Sequence, residues 1–220
     1  MITLPKKKNE PVHVWVYNCI RQAIMEGVFV PGEQLTLRKM AELLEVSVMP
    51  VREAIRQLVA ERALEFLDSR RVKLFILTQD KIDELFIARL ALESAAITWS
   101  FDSIDKKLTK KLAKIDECVN QAILLGNVKD YILYNQMFHF SICFAKPSEA
   151  LQPLIESLWL QMAPSMRLVF GRVGTSKILD EHAAAIDAIK RQNLADLLLA
   201  IEADLLTGRE LMKKSLLENN

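Results

Sequence analysis

Cysteine is scarce in this chain. There are three, Cys19, Cys118 and Cys143, scattered and with no Cys-x-x-Cys motif. They read as small buried hydrophobes in a protein of a reducing cytosol. A long uninterrupted apolar run is missing too, so no membrane span is expected, although 51% of the residues are hydrophobic and can fill a real core. The N-terminus carries no signal-peptide pattern, so a cytoplasmic location is expected. Internal repeats, low-complexity segments and a strong nucleophile motif are absent, and 220 residues allow one large or two small domains. An excess of one charge is also lacking, since the net charge is +1. Divided along the chain, the balance is uneven. Residues 1–78 hold 12 Lys and Arg against 9 Asp and Glu, and residues 79–220 hold 17 against 19. The positive excess lies in the first part, where a nucleic acid would be met.

What is present begins with two short helical patterns. Leu37, Met40, Ala41 and Leu44 recur at helical spacing, and Val46 plugs a turn. Ser47 is placed as an N-cap, and Pro50 sits in the first turn of the next helix, where a missing N–H costs little. Val51, Ala54, Ile55 and Leu58 form that helix's apolar stripe, with Arg52, Glu53, Arg56 and Gln57 on the other side. Upstream, Val12, Val16, Ile20, Ala23 and Ile24 form another stripe that stops at Gly27, before the Pro31-Gly32 turn. Downstream, Leu64–Leu67 and Val72–Leu77 are β-prone runs around the basic tip Asp68-Ser-Arg-Arg71. Three helices and a hairpin in this order predict a winged helix-turn-helix over residues 1–78. Lys6-Lys-Lys8 is a candidate basic arm.

Residues 12–78 resemble the DNA-binding domain of the GntR family of bacterial transcription regulators. The resemblance rests on Gly27, Pro31-Gly32, Leu35, the Leu37–Val46 helix, Ser47 and Pro50-Val-Arg-Glu-Ala54. The chain departs from the family's pattern at Val48, where Arg is usual, at Arg62-Ala63, where Gly is usual, and at the glycine-free wing tip Ser69-Arg70-Arg71. The resemblance implies a dimer that lays the 48–62 helix of each copy in the major groove of a near-palindromic operator. Arg38, Arg52 and Arg56 would contact phosphates or base edges, Ser47 and Met49 bases, and Arg70 and Arg71 the backbone or minor groove.

From Thr78 onward the pattern is helical throughout. Six helices are expected, near 80–100, 104–125, 127–145, 150–170, 175–191 and 194–217, forming an antiparallel bundle over residues 79–220. The fold class is therefore mainly α. Asn135 and His139 are i and i+4 on one helix, so they share a face. His182 lies ten residues before the turn at Gln192-Asn193 and Asp204 eleven after it. At about 1.5 Å per residue, an antiparallel hairpin sets these two at the same height. Two imidazoles, a carboxylate and an amide oxygen can then converge on a divalent ion such as Zn²⁺ or Ni²⁺. The alternative is a pair of satisfied pocket histidines without a metal. Residues 79–220 resemble the all-helical (FCD) ligand-binding domain of the FadR-type subfamily. The metal-binding members of that subfamily match at Asn135, His139 and His182, with Asp204 in place of a third histidine.

Arg89 and Glu93 fall on the same stripe as Ile82, Leu85, Phe86 and Ala96. A charge facing a core must be paired or must face a ligand. Arg89 is read either as half of an Arg89–Glu93 ion pair or as a guanidinium that grips the carboxylate of a small organic acid effector. Arg167 and Arg172 are further candidates for that grip. Trp15, Trp99 and Trp159 are read as packing. The expected protein is a regulator, more a repressor than an activator, not an enzyme. Two rivals are kept, a metal-dependent hydrolase built on the His/His/Asp set and an interaction module that has lost DNA.

Overall fold

The structure, a computed structural model, describes residues 10–173 and 181–217, without the side chains of residues 172 and 173. Along the described residues run α1 (Val12–Met25), β1 (Gln34–Thr36), α2 (Leu37–Leu43), α3 (Val48–Ala60), β2 (Leu64–Phe66), β3 (Arg71–Leu74), α4 (Gln79–Ser100), α5 (Lys106–Leu124), α6 (Val128–Cys143), α7 (Leu151–Val173), α8 (His182–Lys190) and α9 (Leu194–Leu217). The Lys6–Lys8 arm and the expected beginning of the 175–191 helix lie outside the described residues. No helix among them is long and apolar enough to cross a membrane. Two compact units are resolved. The first is Met1–Leu77 with Trp159–Leu168, and the second is Thr78–Leu158 with Val169–Asn220.

In the first unit the helical stripes read from the sequence meet in one core. Val16, Ile20 and Ile24 of α1 join Leu37 and Met40 of α2, Val51, Ile55 and Leu58 of α3, and Leu64, Val72 and Leu74 of the hairpin. The wing is a three-stranded sheet in the order β1-β3-β2, both pairings antiparallel. The hairpin was legible. Strand β1 was not, because three residues with a single buried side chain, Leu35, leave no alternation to read. The wing tip does without glycine because Asp68 holds it. Its Oδ1 accepts the backbone N–H of Arg70 at 2.7 Å and of Arg71 at 2.9 Å. These bonds and the Arg71 guanidinium hold the Asp68 carboxyl below its ordinary range.

Five helices end in the same way. After α1, α2, α3, α5 and α8 the chain turns into the left-handed region and returns two backbone hydrogen bonds to the last turn, as Arg62 N–H to Val59 O and Ala63 N–H to Leu58 O do after α3. Gly27 and Gly126 serve two of these ends, but Glu45, Arg62 and Gln192 serve the others at φ of 54°, 58° and 55°. A side chain with a Cβ is strained there. Arg62 lies in the Arg62-Ala63 stretch, where the resembling family usually has glycine. Arg62→Gly is expected to stabilise the protein by about 0.5–1 kcal/mol, a rise of a few degrees in Tm read by calorimetry. At Gly27 (φ +60°) the chain is also crowded, since a Cβ would lie 2.4 Å from Cδ of Arg167.

In the second unit the packing runs in a closed ring, α4 on α6, α6 on α5, α5 on α8, α8 on α9, and α9 back on α4. Ile82, Leu85, Ile97, Leu112, Val119, Phe138, Ile142, Ala185, Ile189, Leu197 and Ile201 are among the apolar side chains buried in it. Helix α4 departs from the usual pattern. It buries Arg89 and Glu93 and exposes Ile87 and Trp99. A helix that takes its charges inward does so for a group it meets there.

Candidate functional site

Each of the five ring helices supplies a polar side chain to one buried cluster. Glu93 comes from α4, Asp116 from α5, His139 from α6, His182 from α8 and Asp204 from α9. His139 lies between two carboxylates, with Nδ1 at 3.0 Å from Oε2 of Glu93 and Nε2 at 3.0 Å from Oδ2 of Asp204. His182 repeats the arrangement more loosely, with Nδ1 at 3.3 Å from Oδ1 of Asp116 and Nε2 at 3.9 Å from Oδ1 of Asp204. Both imidazoles thus turn Nδ1 to an outer carboxylate and Nε2 to the same Asp204. Phe138 stacks on the His182 ring at 3.8 Å between centroids and fixes its plane. Arg89 closes the set from α4, its Nε donating to Oε1 of Glu93 at 2.7 Å.

The charges in this cluster hold one another. Burial alone would raise the Glu93 carboxyl, but Arg89 and His139 outweigh it and bring it down to about 2. Burial would lower His139, but the Glu93 charge and the hydrogen bonds the imidazolium donates to both carboxylates raise it to about 9. Asp204 is likewise held below its ordinary range against burial, by its bond to His139 and by both imidazoles. In this state the proton on His139 ties Glu93 to Asp204.

The donor set suits a divalent ion. Ligand atoms of His139, His182 and Asp204 all lie within 4.8 Å of one another. Asn135 is buried one turn before His139, and its Oδ1 has no hydrogen-bond partner among the described residues. A buried acceptor left without a donor is costly unless something is bound there. Glu93 bonds His139 Nδ1 as the outer carboxylate of a metal site does, which leaves Nε2 for the ion, and Asp116 stands 3.3 Å from His182 Nδ1 on the corresponding side, without a hydrogen bond between them.

The sequence reading brought Asn135, His139, His182, Asp204 and Arg89 into view, and all but Asn135 are tied by short contacts within the cluster. The contact of Glu93 with His139 and the place of Asp116 in the cluster are not among the features expected from the sequence. The signal for Asp116 was available, because it is a carboxylate among Leu112, Ile115 and Val119, the buried positions of α5. Arg167 is placed elsewhere. It belongs to the first unit, where its Nη1 donates to the Glu26 carbonyl at the end of α1 at 2.6 Å. The Arg172 side chain lies outside the described residues.

On the first unit, Ser47 occupies the N-cap position of α3 without a side-chain capping bond, and Met49 beside it is 67% exposed. Arg52 reaches from α3 to the wing tip, donating to Ser69 O at 3.1 Å. Arg38, Arg56 and Arg71 are paired with Glu42, Glu53 and Asp68. Arg70 is exposed on the wing. Pairs this exposed contribute little to stability and exchange readily for phosphate.

Residues 14–73 match the model of bacterial regulatory proteins of the gntR family, and residues 84–206 match the FCD domain. The chain belongs to the GntR family, in its branch with an FCD domain. It is 26% identical over 177 residues to the HTH-type transcriptional regulator McbR of Escherichia coli K12, covering 80% of each chain. It is 29% identical over 187 residues to the gluconate operon transcriptional repressor of Bacillus subtilis, covering 80% of this chain and 74% of that one. The solved structure of E. coli McbR/YncC superposes with a TM-score of 0.86 at 21% identity, over 93% of this chain and 98% of that one, which is a likeness of fold. The protein is accordingly a DNA-binding transcription regulator with a ligand-responsive C-terminal domain, not an enzyme.

Proposed function

We propose that this regulator represses transcription and that a divalent metal, Zn²⁺ or Ni²⁺, is held in its bundle by His139, His182, Asp204 and Asn135. The observation that carries the metal is the double arrangement at Asp204, two imidazoles each backed by a carboxylate and each turning Nε2 to one acid. Bound there, the ion would attract the carboxylate of a small organic acid, and Arg89, held by Glu93, supplies the second positive charge. Residues 79–220 are the effector-binding and pairing part in this reading, and residues 1–78 the DNA-binding part. Two copies pair, and each sets α3 into one half of a near-palindromic operator. Arg38, Arg52 and Arg56 contact phosphates or base edges, Ser47 and Met49 reach bases, and Arg70 and Arg71 contact the backbone or the minor groove. The effector binds the DNA-competent and DNA-incompetent arrangements unequally, so each ligand changes the other's affinity by the same factor.

Elemental analysis of the purified protein tests the metal. One equivalent per chain is expected, and His139→Ala should reduce it to a trace. Unchanged metal content in that variant would rule out this ligand set. For DNA, Arg52→Ala is expected to weaken binding to the protein's own upstream sequence by tenfold or more, the value of a lost bidentate or phosphate contact. Equal affinity for that sequence and for random duplex in the unaltered protein would refute a sequence-specific operator.

A further inference from the structure

Residues 106–114, Lys-Lys-Leu-Thr-Lys-Lys-Leu-Ala-Lys, form the first half of α5. Lys106, Lys107, Lys110, Lys111 and Lys114 are all exposed and line one open depression. At about 100° per residue the five fall within about 140° of the helix circumference, and at about 1.5 Å per residue they form a row about 12 Å long. Among the described residues none of the five ammonium groups is held by an acid. The neighbouring carboxylate, Asp105, is already committed to capping α5, accepting the Leu108 N–H at 2.6 Å.

The row is out of keeping with its surroundings in two respects. Residues 79–220 carry a net negative charge, 17 Lys and Arg against 19 Asp and Glu, yet five of the 17 crowd into nine positions. They also occupy the N-terminal turns of a helix, where the backbone dipole disfavours cations, while Asp116 and Glu117 lie further along. Each lysine repels its i+3 or i+4 neighbour besides. Folding gains nothing from this arrangement, whereas binding of a polyanion would relieve both the repulsion and the unfavourable dipole.

We infer that the lysine face of α5 is a second, sequence-independent surface for the phosphate backbone of duplex DNA, separate from the helix-turn-helix. The composition selects this occupant. The row is built of lysine alone, flexible point charges that neutralise phosphate without fixing a geometry, whereas planar bidentate recognition calls for arginine. The first unit shows the contrast, since its candidate reading face is arginine (Arg38, Arg52, Arg56, Arg70, Arg71). Phosphates follow one another about every 3.4 Å of axis on each strand, so a 12 Å row meets three or four of them. An acidic protein segment would be the rival occupant.

The test replaces all five lysines by glutamine, a comparable helix former. It measures the salt dependence of binding to a 60-base-pair random duplex by fluorescence anisotropy. The slope of log K against log salt is expected to fall by about 3, at ~0.9 per phosphate lost, with Tm unchanged or slightly raised. Arg52→Ala/Arg56→Ala is run beside it. If that variant keeps full affinity while the lysine variant loses its slope, the helix-turn-helix reading fails and the α5 surface stands. Coincident slopes for the lysine variant and the unaltered protein overturn the α5 surface, and a loss of poly-glutamate binding with DNA slopes unchanged assigns the face to a protein instead. Should the fivefold variant unfold, Lys110→Gln/Lys114→Gln answers the same question with an expected loss of about 2.

Discussion

Glu93→Leu should destabilise the metal-free protein by ~3–5 kcal/mol, the cost of removing one partner from a buried ion pair. Glu93 is 0% exposed and answers two cations, Arg89 through Oε1 at 2.7 Å and His139 through Oε2 at 3.0 Å. Without it, the Arg89 guanidinium stays in the bundle and loses its ion pair with Glu93, and His139 loses one of the two carboxylates that flank it. Glu93→Gln is the milder form, since the amide oxygen still accepts one bond while the charge is gone. Arg89→Met/Glu93→Leu should recover much of the loss, because it replaces both halves with apolar groups of similar volume. Urea titration of the unaltered protein, Arg89→Met, Glu93→Leu and the double variant gives the coupling between the two sites, expected above ~2 kcal/mol. A loss below about 1 kcal/mol in Glu93→Leu would mean that this pair is dispensable and that the inward charges of α4 have another cause. Metal affinity supplies a separate readout. Glu93→Gln weakens the acceptor behind His139 Nδ1 and should cost 10–100-fold, the usual range for an outer carboxylate.

The same residues show what could be read beforehand. Leu37, Met40, Ala41 and Leu44, or Val51, Ala54, Ile55 and Leu58, announce their helices because burial repeats with the helix period, and that information is local. Asn135 with His139, and His182 with Asp204, were also within reach, the first pair by spacing on one helix and the second by equal distance from a turn. Asp116 and the second role of Glu93 depend on which helices close the ring, and α5 against α8 is a pairing that no periodicity records. Arg167 shows the same gap. Helix α7 buries nearly every side chain from Trp159 to Met166, so its pattern has no polar face from which to choose a neighbour. The structure assigns this stretch to the first unit, and the guanidinium finds the carbonyl of Glu26. Strand β1 and the left-handed Glu45, Arg62 and Gln192 were hidden for a simpler reason. Short strands and single φ angles leave no periodic trace, and glycine, their usual marker, is absent.

Raising the pH from 6.5 to 8.5 should lower the stability of the metal-free protein and raise its affinity for Ni²⁺. His139 is raised from its ordinary 6.5 to about 9 in the folded state. A group raised on folding adds stability that is fully present below the unfolded value and is lost as pH climbs through the folded one. At 1.36 kcal/mol per unit this is ~3 kcal/mol, disappearing between pH 6.5 and 9. Glu93 acts at the other end. Held at about 2 against an ordinary 4.5, it contributes above pH 4.5 and is lost as the pH falls toward 2. From these two groups, the metal-free protein is most stable between pH 4.5 and 6.5. A metal reverses the upper limb, because Nε2 of His139 must give up its proton to bind, and affinity then rises with pH until that proton is gone. Thermal melts across pH 6.5–8.5, with chelator and with excess Ni²⁺, should therefore diverge, the first falling and the second level or rising. In His139→Gln the two curves should run together, since the residue that carried either the proton or the metal is gone. Parallel curves in the unaltered protein would show that proton and metal do not compete at His139, and would remove it from the ligand set.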